Sequence, residues 1–192
     1  DYRCDPVERK TYTDELSGYA LSPDNKMVAL EIRGELFVMP EDKEQKRSTR
    51  LTKLPARDQS PAWLNDSTLL FLSDRAGNND LYLLRSSDEE EPSLYRTFKR
   101  KVIALTTTME EETGFTLSPD RSKIAMLQGR GKLIVADIDS TGSISNQQTL
   151  LDGWATPSDI SWSPDGQWLA YSMPDLNFNR EIYIHAADGS GD

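Results

Sequence analysis

Residues 160–172 read ISWSPDGQWLAYS and predict two short strands joined by a tight turn. Pro164 suits the second position of a type I turn because its ring fixes φ near the required value. Asp165 can accept a hydrogen bond from its own backbone, and Gly166 tolerates a positive φ without steric cost. The flanking residues, Trp162 and residues 168–171, are aromatic and apolar, as residues of paired strands tend to be.

The same turn recurs upstream, which makes the chain a repeat protein. It reads LSPDNK at residues 21–26, a degraded WLNDS at 63–67, and LSPDRS at 117–122. The matching positions 23, 65, 119 and 164 are separated by 42, 54 and 45 residues. This spacing is close to one four-stranded propeller blade, which takes roughly 40–50 residues.

Each copy continues with further short strands in the same order. The second strands are expected at 27–30, 69–72, 124–127 and 169–171, and the third at 36–39, 81–84, 133–136 and 182–184. A fourth, less apolar strand is expected at 49–52, 102–106 and 148–151, and the last copy lacks it. The pattern predicts an all-β propeller of four-stranded antiparallel blades, whose nearly continuous apolar strands are packed on both faces. The ring is incomplete, with about 3.75 blades.

The repeats divide one propeller domain into five segments. Residues 1–18 form an N-terminal tail or a closing strand, for which 10–13 would supply an outer strand. Blade 1 spans 19–58, blade 2 spans 59–112, blade 3 spans 113–158, and a partial blade 4 spans 159–192. Blade 2 carries an insertion at 86–101, which the charge runs at 89–91 and 99–101 predict to be a solvated loop. A docking loop for another domain is the alternative.

Composition excludes several classes of partner. The 192-residue chain has a formal net charge of −10, which argues against nucleic acid or an anionic membrane as partner. No apolar run approaches the ~18 residues that a transmembrane helix needs.

A single cysteine, Cys4, excludes an internal disulfide. The start at Asp1 without a signal peptide, and the Gly- and Asp-rich end, favour a piece of a longer chain.

No catalytic, cofactor or metal site is expected in this chain. A serine triad needs a histidine, and His185, the only one, is expected to be a strand-edge side chain. No Gly-x-Ser-x-Gly elbow and no cysteine–histidine zinc cluster are present. Polar side chains that could line a cation loop fit a hairpin tip better: Asp74, Asn78, Asn79 and Asp80. Residues 129–131, Gly-Arg-Gly, join two strands and open no helix, so they are not a phosphate loop. Residues 65–67 match the short N-glycosylation acceptor pattern, and a chance match explains this as well as a functional site does.

Two repeated residue types have both a structural and a functional interpretation. The tryptophans are expected to pack between blades, with peptide contact at a channel mouth as the alternative: Trp63, Trp154, Trp162 and Trp168. The turn aspartates are expected to shape the turns: Asp24, Asp66, Asp120 and Asp165. If the inner strands end near the axis, these aspartates would also rim a channel with negative charge, which favours positively charged or neutral peptides.

An open arc leaves two exposed apolar faces, because a propeller buries its end blades only by closing the ring. We therefore expect two copies to pair through these faces into a ring-like homodimer, or further blades to complete the ring.

The repeats resemble those of TolB-like and tricorn-protease propellers, and the match is best to the second, seven-bladed propeller of the tricorn protease family. The resemblance rests on RGELFVMP at 33–40, RLT at 50–52, SPAW at 60–63, LSDRAG at 72–77 running into DLY at 80–82, and SWSPD at 161–165 followed by WLAYS at 168–172. It covers residues 17–188, and it departs at Leu64-Asn65, where Ser-Pro would stand, and at the blade 2 insertion.

This resemblance implies a non-catalytic domain of a large oligomeric serine peptidase. In that family the propeller forms an axial channel that filters unfolded peptides, and the catalytic residues lie in later domains. The partners it implies are a peptide or protein substrate and the other domains of the parent peptidase, with a cytoplasmic location. A TolB-like protein-binding scaffold in the periplasm, or the lid propeller of a prolyl-oligopeptidase-like hydrolase, remain alternatives.

Overall fold

The structure, a computed structural model, describes residues 10–42, 44 and 47–191 and consists there of β-strands and connecting loops. Fifteen strands form four antiparallel sheets, and the order of strands within each sheet follows the chain. No helix able to cross a membrane occurs among the described residues. The strands are β1 (Leu16–Leu21), β2 (Met27–Ile32), β3 (Glu35–Pro40), β4 (Thr49–Arg50), β5 (Asp58–Asn65), β6 (Thr68–Ser73), β7 (Asp80–Ser86), β8 (Arg100–Ala104), β9 (Glu112–Leu117), β10 (Lys123–Gln128), β11 (Lys132–Ile138), β12 (Ile144–Asp152), β13 (Ser158–Trp162), β14 (Trp168–Pro174) and β15 (Arg180–Ala186).

Each sheet is one blade, and the predicted propeller fold is confirmed. Blade 1 contains β1–β4, blade 2 contains β5–β8, blade 3 contains β9–β12, and blade 4 contains β13–β15. The first strand of each blade contacts the first strand of the next, so β1, β5, β9 and β13 are the inner strands. The sheets stack side by side without sharing a strand ladder.

The turn after each inner strand has the geometry that its sequence predicts. In blade 4 the N–H of Gly166 donates to the carbonyl of Ser163 at 2.9 Å, and Gly166 has a φ of 69°. Asn25 and Arg121 take the same position in blades 1 and 3, with φ values of 57° and 59°. The turn therefore forms with three different residues at its left-handed position, because the preceding Ser-Pro-Asp supplies most of the constraint.

Neighbouring blades are joined by a buried apolar layer and by one repeated polar contact. Three clusters of buried side chains fill the spaces between blades 1 and 2, 2 and 3, and 3 and 4. The indole N–H of Trp63 donates to the carbonyl of Ala20 at 3.1 Å, and that of Trp162 donates to Thr116 at 3.3 Å. Each indole thus satisfies its donor on the inner strand of the preceding blade while its ring fills the gap.

The insertion of blade 2 is more than the solvated loop that its charge runs predict. It joins β7 to β8, and Leu94 within it is 2% exposed and packs in the apolar layer between blades 1 and 2. The hydroxyl of Thr49 in β4 donates to the carbonyl of Tyr95 at 3.2 Å, which fixes the insertion to the outer strand of blade 1. Leu94 and the partly buried Tyr95 reach the core, whereas Phe98 is exposed.

The ring is open among the described residues, as expected. Blade 1 exposes Tyr19 and Leu21, and blade 4 exposes Ile182 and Ile184, at positions that face a neighbour in the inner blades. The outer edge of β15 has no strand pairing corresponding to β4, β8 or β12. Residues 10–13 form no strand here; instead the Tyr12 ring lies 5.9 Å from that of Phe37 on the open side of blade 1.

Candidate functional site

The meander topology sorts the loops onto two ends of the arc. One end, which we call the Asp end, carries the turns after the inner strands and the insertion of blade 2. The other end, which we call the crossover end, carries the hairpins between the second and third strands and the connections between blades. Contacts between blades hold the turns of the Asp end together: the N–H of Asp24 donates to the carboxylate of Asp66 at 2.9 Å, and Gly166 adjoins the Ser118-Pro119 turn.

At the Asp end, three of the turn aspartates, Asp24, Asp120 and Asp165, are held ionised by the turns they build, whereas Asp66 accepts from the Asp24 N–H of blade 1. Asp24 accepts hydrogen bonds from the Ser22 hydroxyl and the Lys26 N–H, and these lower its pKa to about 2. The hydroxyls of Ser118 and Ser122 likewise lower the pKa of Asp120 to about 2. The Ser163 hydroxyl lowers the pKa of Asp165. The interpretation of these residues as turn formers therefore fits, and it leaves their negative charge at this end of the inner strands.

The crossover end carries a repeated apolar feature that the sequence reasoning missed. Each connection between blades presents one large exposed apolar side chain, namely Leu54, Met109 and Trp154. The β14–β15 hairpin adds two more, Leu176 and Phe178. The rings of Trp154 and Phe178 meet edge to face with centroids 5.8 Å apart. We call Trp154, Leu176 and Phe178 the aromatic platform.

Gly131 positions the connection that carries Trp154. The N–H of Gly153 donates to the Gly131 carbonyl at 3.0 Å, so this connection lies directly on the β10–β11 hairpin. A Cβ on Gly131 would come within 2.2 Å of the Gly153 carbonyl oxygen and 2.9 Å of that of Ala155. Only glycine permits this close approach. Ala155 is buried beneath the loop, and Trp154, next to it, points outward and is half exposed.

Phe178 occupies a backbone conformation that large side chains rarely adopt. Its N–H donates to the carbonyl of Asp175 at 3.0 Å, and its φ is 63°. The corresponding hairpin of blade 2 has the same contact, from Gly77 to Asp74 at 2.9 Å, with glycine at the positive φ. A non-glycine residue in this region costs about 1–2 kcal/mol. A comparison of the two hairpins, Asp-Arg-Ala-Gly and Asp-Leu-Asn-Phe, would have drawn attention to Phe178.

A cavity of about 530 Å³ lies at the crossover end between blades 1 and 2. Its lining includes Glu15, Glu31, Arg33 and Arg57, so it carries both signs of charge. Glu31 is engaged within the fold, because its carboxylate accepts from the Ser17 hydroxyl at 2.8 Å and from the Ser60 N–H at 2.9 Å.

Two buried carboxylates lie beneath the crossover end, Asp58 at the start of β5 and Glu112 at the start of β9. Arg75 forms an ion pair with the fully buried Asp58 at 2.7 Å, and its guanidinium lies 5.0 Å and 4.8 Å from the ring centroids of Phe71 and Tyr82. At the next interface Glu112 is 1% exposed, and its Oε2 atom has no hydrogen-bond partner. Burial and then the nearby charge of Asp80 raise the pKa of Glu112.

The side chains considered for a cation loop contact protein groups. Asp74 accepts from the Arg57 N–H at 2.8 Å, and Asn78 donates to the Thr108 carbonyl at 2.9 Å. Asp80 is buried and accepts from the Thr108 N–H at 3.2 Å. In the described ranges, no group of three or more histidine, cysteine, aspartate or glutamate side chains is arranged to hold a metal ion. Residues 129–131 form the β10–β11 hairpin, and Asn65 accepts from the Ser67 N–H in its turn.

The tryptophans divide into two classes, so the prediction that all four pack between blades is wrong for two of them. Trp63 is buried and Trp162 is half-buried in the layers between blades. Trp154 and Trp168 are about half exposed, because the first lies on a connecting loop and the second borders the open side of blade 4. His185 pairs with Leu169 on the side of blade 4 that packs against blade 3, which agrees with a structural role in the strand.

Comparison with known proteins identifies the fold. The chain superimposes on a puromycin-hydrolyzing peptidase of Mycobacterium tuberculosis with a TM-score of 0.68 and 17% identity, covering 94% of this chain and 29% of that one. It superimposes on the tricorn protease with a TM-score of 0.66 and 12% identity, covering 95% and 17%. For a putative TolB from Agrobacterium tumefaciens the TM-score is 0.65 and the identity 19%, with coverage of 92% and 60%.

The propeller is thus similar to those of peptidases and of TolB, which confirms the resemblance at the level of the fold. The chain spans 29% and 17% of the two peptidase chains and 60% of the TolB chain. No family model matches the sequence, and no curated protein matches it significantly.

Proposed function

We propose that this chain is a non-catalytic propeller domain of a tricorn-like serine peptidase, which admits peptides to an active site elsewhere in the polypeptide. The observation that supports the proposal is the likeness of the fold to peptidase propellers, in which histidine and aspartate side chains of this chain serve its own turns and interfaces. His185 faces a blade interface, and Asp24, Asp120 and Asp165 accept hydrogen bonds from neighbouring serine hydroxyls. The ionised aspartates at the Asp end favour positively charged or neutral peptides.

The experiment compares this chain with the longer polypeptide that contains it. A fluorogenic peptide should be hydrolysed by the longer polypeptide, and a serine-directed inhibitor should block the reaction. The 192-residue chain should produce no hydrolysis. A polypeptide that ends after the ring would instead indicate a TolB-like scaffold, and a downstream Gly-x-Ser-x-Gly domain would indicate a prolyl-oligopeptidase-like lid. Robust turnover by this chain alone would contradict the proposal.

The open arc supports a second proposal, which concerns assembly. Tyr19 and Leu21 of one copy and Ile182 and Ile184 of another have the apolar character that the inner blades bury against each other. Two four-bladed arcs joined head to tail would give eight blades, within the range of known rings. We further propose that the protein is cytoplasmic, with the periplasm as the alternative location.

A further inference from the structure

Blade 1 covers part of its open side with a side chain that precedes its first strand. Tyr12 is half-buried, whereas Thr11 and Thr13 on either side of it are exposed. The Tyr12 ring centroid lies 5.9 Å from that of Phe37, with 60° between the ring planes. Phe37 is buried, whereas Tyr19 on the same side of the blade is exposed. Residues 10–13, which we call the N-terminal cap, thus shield one apolar ring of the open side from water.

Phe37 holds a position that the next blade buries in an interface. It is the third residue of β3, as Tyr82 is the third residue of β7. Tyr82 lies in the apolar layer between blades 1 and 2, in one cluster with Leu36 and Val38 of the preceding blade. A ring at this position is therefore covered, inside the arc, by two aliphatic side chains from the third strand of the neighbouring blade.

Blade 4 carries the same two aliphatic positions on its own open side. Ile184 lies opposite Ala170 in the β14–β15 ladder, as Val38 lies opposite Ala29 in the β2–β3 ladder. Ala29 and Ala170 are each the third residue of the second strand of their blade. The two ladders therefore match, and Ile182, two residues before Ile184, corresponds to the residue two before Val38.

The exposure of these side chains shows that their cover is missing. Leu36 and Val38 are fully buried, whereas Ile182 is 80% exposed and Ile184 is 58% exposed. In a ring of two copies that repeats the packing between blades 1 and 2, both isoleucines of one copy would lie against Phe37 of the other. Tyr12 occupies that place in the single chain.

We infer that the N-terminal cap is an autoinhibitory contact, in which Tyr12 has to leave Phe37 before blade 4 of a second copy can dock on blade 1. The inference rests on the proposed assembly and deepens it, because it names what controls the pairing. A closed ring of two copies has two identical junctions, so its formation displaces one cap from each copy. The cost of displacing a cap therefore enters the dimer dissociation constant twice.

The test measures the dimer dissociation constant of the full 192-residue chain by sedimentation velocity at a fixed salt concentration. The variant Tyr12→Ser removes the ring from a segment outside the strands, so the propeller should fold as in the parent. Tyr12→Phe keeps a ring at this position and is the conservative variant. The matched control is Phe98→Ser, which removes a ring that is 97% exposed from the insertion at the Asp end.

A second readout follows the contact between Tyr12 and Phe37 without any association. The chain has five phenylalanines, which para-fluorophenylalanine labels for fluorine NMR, and Phe37→Leu assigns the signal of Phe37. In protein dilute enough to be monomeric, Tyr12→Ser should move the Phe37 signal, because the covering ring is gone. Phe98→Ser should leave that signal where it is in the parent.

We expect the dissociation constant to fall by about tenfold or more in Tyr12→Ser, because the docking surface no longer has to be uncovered. Tyr12→Phe and Phe98→Ser should stay within about twofold of the parent. Equal dissociation constants in the parent and Tyr12→Ser, or an unmoved Phe37 signal, would overturn the inference and leave the pairing standing. No association of any of these proteins would overturn the pairing and the inference with it. Hydrolysis by the longer polypeptide tests the proposed peptidase role separately.

Discussion

At the scale of single residues, Glu112 is the clearest case of a carboxyl group whose ionised form is disfavoured by its surroundings. It lies where blade 3 begins, buried, with one carboxylate oxygen unpartnered, and its pKa is raised above the ordinary value of 4.5. In the interval between 4.5 and that raised pKa, the folded state holds a proton that the unfolded state has lost. Unfolding then releases a proton, so this residue's contribution to stability falls as the pH rises through the interval.

Replacing this carboxyl by an amide should therefore stabilise the protein at neutral pH. We expect Glu112→Gln to raise the free energy of unfolding at pH 7 by about 1–3 kcal/mol, because an unpaired buried charge disappears. The gain should shrink as the pH approaches 4.5, which urea unfolding at several pH values measures. The exposed residue just before it gives the control: Glu111→Gln makes the same change in net charge and should alter stability by less than about 0.5 kcal/mol. A Glu112→Gln protein less stable than the parent at pH 7 would refute this account.

At the scale of elements, the blade 2 insertion acts as a clamp across the outer side of blades 1 and 2. Leu94 supplies its apolar anchor, whereas Phe98, four residues later, is exposed to solvent. We expect Leu94→Ala to lower the free energy of unfolding by about 2–5 kcal/mol, since it leaves a cavity in a filled layer. Phe98→Ala should change it by less than about 0.5 kcal/mol. Urea denaturation of both variants checks this, and equal effects would mean that the insertion is not anchored at Leu94.

The elements also show what a sequence can predict here. The Ser-x-Asp turns and the short apolar strands are local, because the bonds from Ser22 to Asp24 and from Ser163 to Asp165 span two residues, so their pattern predicts them well. Leu94 was missed because its partners lie in other strands and it stands between the charge runs at 89–91 and 99–101. Phe178 was missed for a different reason: it takes the positive-φ position that Gly77 has in blade 2, and this shows in the sequence only when the two hairpins are aligned.

At the scale of the whole molecule, the arc's two open faces predict association. We expect light scattering across a concentration series to reveal a species of twice the 21.7 kDa chain mass, favoured by salt because each copy carries a charge of −10. The double substitution Ile182→Ser and Ile184→Ser should shift this equilibrium to the monomer. Met109→Ser, which removes a still more exposed apolar side chain from the crossover end, should not. A clean monomer at every concentration and salt would rule out the pairing.

The indole contacts from Trp63 to Ala20 and from Trp162 to Thr116 reach one blade back and no further. Each blade in such an array is stabilised by its direct neighbours. Local unfolding therefore costs the least free energy in a blade that has one neighbour instead of two. Blade 2, whose β6 is buried along its whole length, should keep its amide hydrogens longest during exchange with deuterated water. Blades 1 and 4 should fray first, and a partner that caps them would slow exchange there before it altered anything in the middle.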